Sequence, residues 1–246
     1  MSPTVCPVCQ GPAALFDVVD FNRTCPGPGA PVPPLSGIPV YYSRCGACGF
    51  LFAAEMCGWT PEQFLERVYN DDYALYDPDY VEARPQANAD FLTRYFKAGD
   101  FTHLDYGGGN GELSRRLTAA GWPSVSYDPL IDAERPQGPF DLVTSFEVFE
   151  HVPDVDRLMS DLNALTGEAS VILFSTTVSD SVVDPGARLS WDYAGPRNGH
   201  ISLFSRRSLQ ILAQKNGYAF GSFNDMIHCF VRTVPAWASH LINMAP

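Results

Sequence analysis

The chain has 246 residues, with 16 Lys and Arg against 28 Asp and Glu, so its formal net charge is −12. This length fits one domain of ordinary size with a small addition. The acidic balance argues against a broad basic face for nucleic acid or an anionic membrane, and the lack of a long apolar run predicts no membrane-spanning helix.

The first 60 residues form the first predicted module, because they hold six of the seven cysteines and a proline-rich stretch at 25–34. That stretch reads as a loop, since proline breaks helices and central strands. The start of the chain, MSPTVCPVCQ, lacks the basic and apolar parts of a signal peptide. An odd number of cysteines with two close pairs is also unlike a secreted disulfide framework, so we expect a cytoplasmic protein.

Two C-x-x-C pairs predict a zinc site in this module, with Cys6, Cys9, Cys45 and Cys48 as the four ligands. A redox-active C-x-x-C is the alternative, but the strand-and-helix setting of a thioredoxin is missing. Four cysteines leave no open position, so the zinc is not expected to be catalytic. Whether it only folds the segment or also covers a substrate pocket stays open.

Residues 61–100 are expected to be a helical and aromatic lid or linker. A helix is predicted at 61–70, with Thr60 as its N-cap and Pro61 as its first residue, and a second at 86–98. Tyrosines crowd the segment between these two helices.

Residues 101–246 alternate strands and helices, which predicts an α/β domain with a Rossmann-like, doubly wound and mostly parallel sheet. The predicted strands are 101–106, 124–129, 140–148, 170–177 and 227–234. The predicted helices are 111–121, 154–167 and 205–218.

The segment LDYGGGNGELS at 104–114 carries the most specific signal, because a strand, a glycine loop and a helix follow one another directly. Glycines let the backbone approach a ligand, and the helix N-terminus offers unpaired N–H groups. The spacing fits neither the G-x-G-x-x-G dinucleotide motif nor a phosphate loop. Asp128 ends the next strand, where a carboxylate can accept hydrogen bonds from a ribose diol.

Residues 70–235 resemble the class I S-adenosylmethionine-dependent methyltransferases. The resemblance rests on three stretches of sequence, LDYGGGNG, SYDP and PFDLVTSFEVFEHVPD. The resemblance implies that S-adenosylmethionine is the cofactor. It assigns cofactor binding to Asp105, Gly107, Gly109, Gly111 and Asp128. It also places Phe146 and Glu147 over the methionine end of the cofactor and His151 near the rim.

One segment departs from the family pattern. Only LIDAERPQGPF, at 130–140, joins the second predicted strand to the third, where the family has room for a further helix and strand. An irregular crossover is therefore expected, without the usual acid on the adenine side. Pro129 and Leu130 are the expected apolar contacts for adenine.

The remaining candidates lie in the tyrosine-rich segment and beyond the fourth strand. In the family, an aromatic N-terminal stretch often folds over the cofactor, which suggests Tyr73 and Tyr76. The stretch GPRNGHISLFS resembles a G-H-x-x-x-F-S pattern of small-molecule methyltransferases. It makes His200 the leading general-base candidate, with Glu147 and His151 as further catalytic candidates.

The sequence therefore predicts a methyltransferase that acts on a small, biosynthetic acceptor by in-line transfer. One alternative is an RNA methyltransferase whose zinc module binds RNA, although few positive charges are available. The other is a protein that binds the cofactor without turnover. Neither the acceptor atom nor the oligomeric state follows from the sequence.

Overall fold

The computed structural model describes residues 4–25, 30–99 and 101–244. The strands are β1 (Thr4–Val5), β2 (Pro12–Asp20), β3 (Pro39–Cys45), β4 (Leu51–Phe52), β5 (His103–Tyr106), β6 (Ser124–Tyr127), β7 (Phe140–Phe146), β8 (Thr166–Ser175), β9 (Ser202–Leu203), β10 (Ala219–Ser222) and β11 (Ile227–Val231). The α-helices are α1 (Pro61–Arg67), α2 (Tyr73–Tyr76), α3 (Ala83–Tyr95), α4 (Glu112–Ala119), α5 (Val155–Leu165) and α6 (Arg206–Lys215). None of the described helices has the length and apolar character needed to cross a bilayer.

The chain divides into two compact units. The first unit comprises Met1–Pro78, Phe149–Asp156 and Thr177–Leu212, and the second comprises Asp79–Val148, Arg157–Thr176 and Ala213–Pro246. The boundaries expected at residues 60 and 100 do not coincide with these limits. Two later segments of the chain belong to the same unit as the cysteine-rich start.

The first unit contains an antiparallel sheet in the order β1-β2-β3-β4-β9. Its last strand, β9, comes from far along the chain and pairs with β4, with Leu51 opposite Leu203. The core on this sheet is apolar and includes Tyr42, Met56 and Ile201, all almost fully buried. Burial of such side chains is the main source of stability for a small unit.

Local sequence signals fix the start of α1. The Thr60 hydroxyl accepts from the Gln63 amide and the Gln63 side chain accepts from the Thr60 amide, so both ends of a capping box are present. The predicted N-cap and first residue are confirmed, although the helix ends at Arg67. The predicted loop at 25–34 has no helix or strand at Cys25 and 30–34, while 26–29 lie outside the described residues.

The second unit contains a six-stranded sheet in the order β10-β11-β8-β7-β5-β6. Strands β6, β5, β7 and β8 are parallel, and β11 and β10 are antiparallel to their neighbours. The predicted mostly parallel α/β sheet is confirmed. Residues 128–139 form no helix or strand, as expected for the short crossover, and β6 is an outer strand of the sheet.

One predicted helix in this unit has the wrong start, and one strand was missed. Helix α3 begins at Ala83 rather than at 86, because Pro85 lies in the first turn, where its missing N–H costs nothing. Strand β10 was not predicted, since a four-residue segment containing Gly221 has little strand character of its own. It forms because β11 offers a neighbouring edge, with Ala219 opposite Val231.

Candidate functional site

The glycine loop and Asp128 lie side by side because two parallel strands end at the same level. Tyr106, the last residue of β5, is opposite Tyr127, the last residue of β6. The amide of Gly109 donates to Asp128 Oδ2 over 3.0 Å, and the amide of Leu130 donates to Oδ1 over 2.9 Å. The Asp128 carboxylate, which is the predicted ribose ligand, is therefore held against the glycine loop.

The loop requires glycine at two positions for geometric reasons. Gly107 and Gly109 have φ values of 74° and 53°, in the left-handed region that disfavours side chains. A Cβ atom on Gly107 would lie 2.4 Å from Cγ2 of Val148. On Gly109 it would lie 2.5 Å from the hydroxyl oxygen of Tyr80.

Asp105 belongs to a buried polar network beneath the loop. Thr144 Oγ1 donates to Asp105 Oδ1 over 2.9 Å and is 3.0 Å from Nε2 of His103. Burial raises the pKa of Asp105 to about 7 and lowers the pKa of His103 to about 3, so this histidine is neutral. Asp105 lies close to the loop, since a Cβ atom on Gly108 would be 2.7 Å from its Oδ2.

Glu147 follows β7 in a strained conformation with φ of 54°, which is uncommon for a residue with a side chain. Its amide donates to Ser175 Oγ over 2.8 Å, and that hydroxyl donates to Glu147 Oε1 over 2.6 Å. The preceding Phe146 is half-buried and lies edge-on to Phe91, with ring centroids 6.4 Å apart. Pro129, beside Asp128, is also half-buried.

The tyrosines of the predicted lid separate between the two units. Tyr73 and Tyr76 lie in the first unit, where Tyr73 is buried against Tyr69 and Tyr76 lies under the guanidinium of Arg197, 4.5 Å from its ring centroid. Tyr80 belongs to the second unit and is the tyrosine beside Gly109. The sequence pattern alone did not distinguish these tyrosines.

The first unit gathers His200 and His151 into a cluster with Glu150 and Tyr193. The rings of the two histidines meet edge to face with centroids 4.9 Å apart. The Tyr193 hydroxyl donates to Glu150 Oε1 over 2.5 Å, and Nδ1 of His200 lies 2.7 Å from the Tyr193 carbonyl oxygen. A carbonyl only accepts, so Nδ1 of His200 carries the proton in this contact.

The backbone around His200 is held by hydrogen bonds from several parts of the first unit. The Tyr42 hydroxyl donates to the His200 carbonyl over 2.5 Å. The Ile201 amide donates to the Glu150 carbonyl over 2.8 Å, and the Ala53 amide donates to the Ile201 carbonyl over 2.9 Å. His200 and Glu150 are thus fixed relative to each other through the main chain as well as through Tyr193.

The four predicted zinc ligands converge in the first unit, with their sulfur atoms all within 4.8 Å of one another. Cys6 and Cys48 Sγ are 3.6 Å apart, and Cys9 and Cys45 Sγ are 3.4 Å apart. Zinc–sulfur bonds of about 2.3 Å in a tetrahedron separate the sulfurs by about 3.8 Å. The spacing fits a metal and is far longer than a disulfide bond of about 2.05 Å.

The electrostatics of this cysteine cluster favour ionisation of one thiol. A hydrogen bond with Cys48 lowers the pKa of Cys6 to about 5, and the same contact raises the pKa of Cys48. Thiolates are the form that binds zinc. Cys57 lies outside the cluster, and burial raises its pKa to about 12.

Sequence reasoning missed Glu150 and Tyr193 as members of the histidine cluster. Glu150 stands directly before His151 in the quoted FEH stretch, and that adjacency was the available signal. Tyr193 carried none, because its place depends on the folded path of the segment before His200.

Comparison with known families identifies the family to which this chain belongs. Residues 80–220 match a family model described as a methyltransferase domain, which is more than half of the chain. The chain therefore belongs to this methyltransferase family, and its resemblance to S-adenosylmethionine-dependent methyltransferases is confirmed. The cysteine cluster precedes the matched region. A comparison with curated proteins found no match.

Solved structures of similar fold include a methyltransferase from Thermotoga maritima described as a possible histamine N-methyltransferase. It shares 11% identity, with a TM-score of 0.48 over 71% of this chain and 100% of its own. Magnesium protoporphyrin IX methyltransferase from Synechocystis, with bound S-adenosylhomocysteine, shares 16% identity, with a TM-score of 0.46 over 70% and 98%. At such low identity these likenesses concern the fold and carry nothing about the acceptor.

Gly109→Ala is expected to lower the affinity for S-adenosylhomocysteine at least tenfold by calorimetry, because the new methyl group lies on the loop and forces the Tyr80 side chain to move. Gly121→Ala is the matched control, since Gly121 also has a positive φ, of 88°, but nothing lies within 4 Å of its added Cβ. Both variants should lose about 1–2 kcal/mol of stability to backbone strain. Equal affinities in the two variants would contradict the role of Gly109.

The buried Asp105 should make stability fall as pH rises. Between about 3.9, its pKa in the unfolded chain, and about 7 in the native state, the folded protein retains a proton that the unfolded chain has released. The free energy of unfolding should therefore decline across this window, by up to about 1.4 kcal/mol per pH unit.

Urea denaturation at a series of pH values should show this decline in the free energy of unfolding in the wild type and not in Asp105→Asn. The amide oxygen of the new asparagine still accepts from Thr144. Asp79→Asn, an exposed change in the same unit, should follow the wild type. Parallel pH profiles for the wild type and Asp105→Asn would show that the carboxyl ionises normally.

Proposed function

We propose that the protein transfers a methyl group from S-adenosylmethionine to a small-molecule acceptor. The main support for binding of the methyl donor is that β5 and β6 end at the same level. The Gly109 amide after β5 therefore donates to the Asp128 carboxylate after β6, over 3.0 Å. S-adenosylmethionine, when bound, supplies an electrophilic methyl group on a sulfonium. The residues of the chain then bind the donor, orient the acceptor and receive a proton.

On the donor side, Asp128 is proposed to accept hydrogen bonds from the ribose diol. Each carboxylate oxygen has two acceptor directions, and the amides of Gly109 and Leu130 occupy one on each oxygen. The loop glycines keep side chains away from the bound nucleoside. The other proposed donor contacts remain those drawn from the sequence, namely Asp105, Pro129, Phe146, Tyr73 and Tyr76.

On the acceptor side, the proposed proton acceptor is Nε2 of His200. The Tyr193 carbonyl at Nδ1 supports this assignment because it fixes the neutral tautomer that leaves Nε2 basic. His151 and Glu150 would orient the ring and stabilise its charged form after proton transfer. Glu147, held by Ser175, is proposed to position groups near the methionine end of the donor.

The proposed acceptor is a small molecule rather than RNA. The net charge of −12 supports this choice, because RNA binding usually depends on a cluster of positive side chains that neutralises phosphates. An acceptor with a hydroxyl or amine needs only one basic group near the methyl donor. His200 provides that group under this proposal.

We propose that Cys6, Cys9, Cys45 and Cys48 bind one structural zinc ion. Their sulfur spacing supports a tetrahedral thiolate site. Ser205 Oγ donates to the Cys48 carbonyl over 2.5 Å, and β9 pairs with β4. The zinc would therefore stabilise the chain segment that carries His200.

Asp128→Ala tests the donor side. We expect affinity for S-adenosylhomocysteine to fall at least tenfold by calorimetry, because hydrogen bonds to a charged acceptor contribute about 1.5–3 kcal/mol each. Glu134→Ala removes an exposed carboxylate from the same crossover and should bind like the wild type. An unchanged affinity in Asp128→Ala would remove the ribose assignment, and no affinity in the wild type would remove the proposed function.

Cys45→Ser tests the zinc site. Metal analysis of the purified protein should show one zinc equivalent fewer per chain than in the wild type, with a lower midpoint of thermal unfolding. Cys57→Ser is the control, because its buried thiol lies outside the cysteine cluster, and it should keep the wild-type zinc content. Equal zinc contents in the wild type and Cys45→Ser would contradict the assignment.

A further inference from the structure

We propose that Glu150, His151 and His200 bind a divalent transition-metal ion, at a second metal site distinct from the cysteine cluster. One ligand atom from each residue lies within 4.8 Å of the others. All three residues belong to the first unit, from its segments Phe149–Asp156 and Thr177–Leu212. The proposal deepens the proposed function by adding an ion to the acceptor side.

The ligand types favour a first-row transition metal. Two imidazoles and one carboxylate suit Zn²⁺, Fe²⁺ or Co²⁺ and leave positions open for other ligands, whereas Mg²⁺ and Ca²⁺ prefer oxygen ligands throughout. Metal bonds of about 2.1 Å place opposite ligands about 4.2 Å apart. The upper limit of 4.8 Å on the separations of the three ligand atoms is close to this distance.

The surrounding hydrogen bonds present these groups in the form that a metal requires. Nδ1 of His200 is 2.7 Å from the Tyr193 carbonyl oxygen, so the lone pair of the neutral ring lies on Nε2. The Tyr193 hydroxyl donates to Glu150 Oε1, which orients the carboxylate toward the two histidines. Metal-bound histidines and carboxylates usually have such outer partners, which orient the ligands and fix the tautomer.

Burial adds an energetic reason for a cation here. Glu150 is fully buried and His200 is only 6% exposed. A carboxylate in such surroundings is costly to ionise unless positive charge lies close to it. A divalent ion held jointly with two neutral imidazoles supplies that charge without protonating either ring.

The ion would define the acceptor as a compound with a hydroxyl group. A hydroxyl bound to the ion would have a lowered pKa and would release its proton to solvent. His200 is in this case a metal ligand rather than the general base.

The test uses the full chain with its cysteine cluster loaded with zinc, titrated with Co²⁺. We expect the wild type to bind one further equivalent, with visible d–d absorption bands and no new sulfur-to-cobalt charge-transfer band. His200→Gln and His151→Gln should each weaken cobalt binding at least tenfold. Tyr193→Phe keeps all three ligands but removes an outer hydrogen bond, and it should weaken binding about 10–100-fold.

His240→Gln is the matched control, since His240 is half-buried against Phe96 in the second unit, and it should bind cobalt like the wild type. Affinity for S-adenosylhomocysteine, measured in every variant, shows that the chain is folded and tests the donor site separately. The inference is overturned if the zinc-loaded wild type binds no further cobalt at micromolar concentration. It is also overturned if both histidine variants bind cobalt as tightly as the wild type.

Discussion

The pairing of Leu51 with Leu203 connects the cysteine-rich start of the chain to the segment that follows His200. Two neighbouring contacts reinforce it, from Ser205 to the Cys48 carbonyl and from Tyr42 to the His200 carbonyl. The sheet of the first unit therefore includes the segment that delivers a candidate functional histidine. A module that is read from its cysteines as a separate addition is, in the folded chain, part of the scaffold of the histidine cluster.

The second unit depends on a comparable constraint at the carboxyl ends of β5 and β6. Parallel strands place equivalent ends at one edge of a sheet, and in open α/β sheets ligands bind outside these ends. The network from Asp105 through Thr144 to His103 fills the space beneath the loop with satisfied polar groups. A rigid loop of this kind presents its amides and Asp128 without reorganisation when a ligand arrives.

The sequence predicted those parts of the site that follow from local patterns. The glycine loop and Asp128 follow the order of strand, loop and helix, and the cysteine pairs have a characteristic spacing, so each of these two groups of residues could be named from the sequence, and each lies together in the fold. Glu150 and β9 were missed for another reason. The two-residue strand β9 and the carboxylate of Glu150 have no local sequence signal, because residues distant in the chain decide their environment.

The first unit consists of three separate segments of the chain, so it cannot be completed until the last of them has been synthesised. The first segment ends at Pro78 and the last ends at Leu212. At ordinary rates of translation, synthesis of the chain between these two residues takes roughly ten seconds. During that interval the edge of β4 has no partner and the growing product presents unpaired amides. Metal bound early by the four cysteines would not shorten this interval, but it would hold Cys45, the last residue of β3, and Cys48, just before β4, in place until β9 is synthesised.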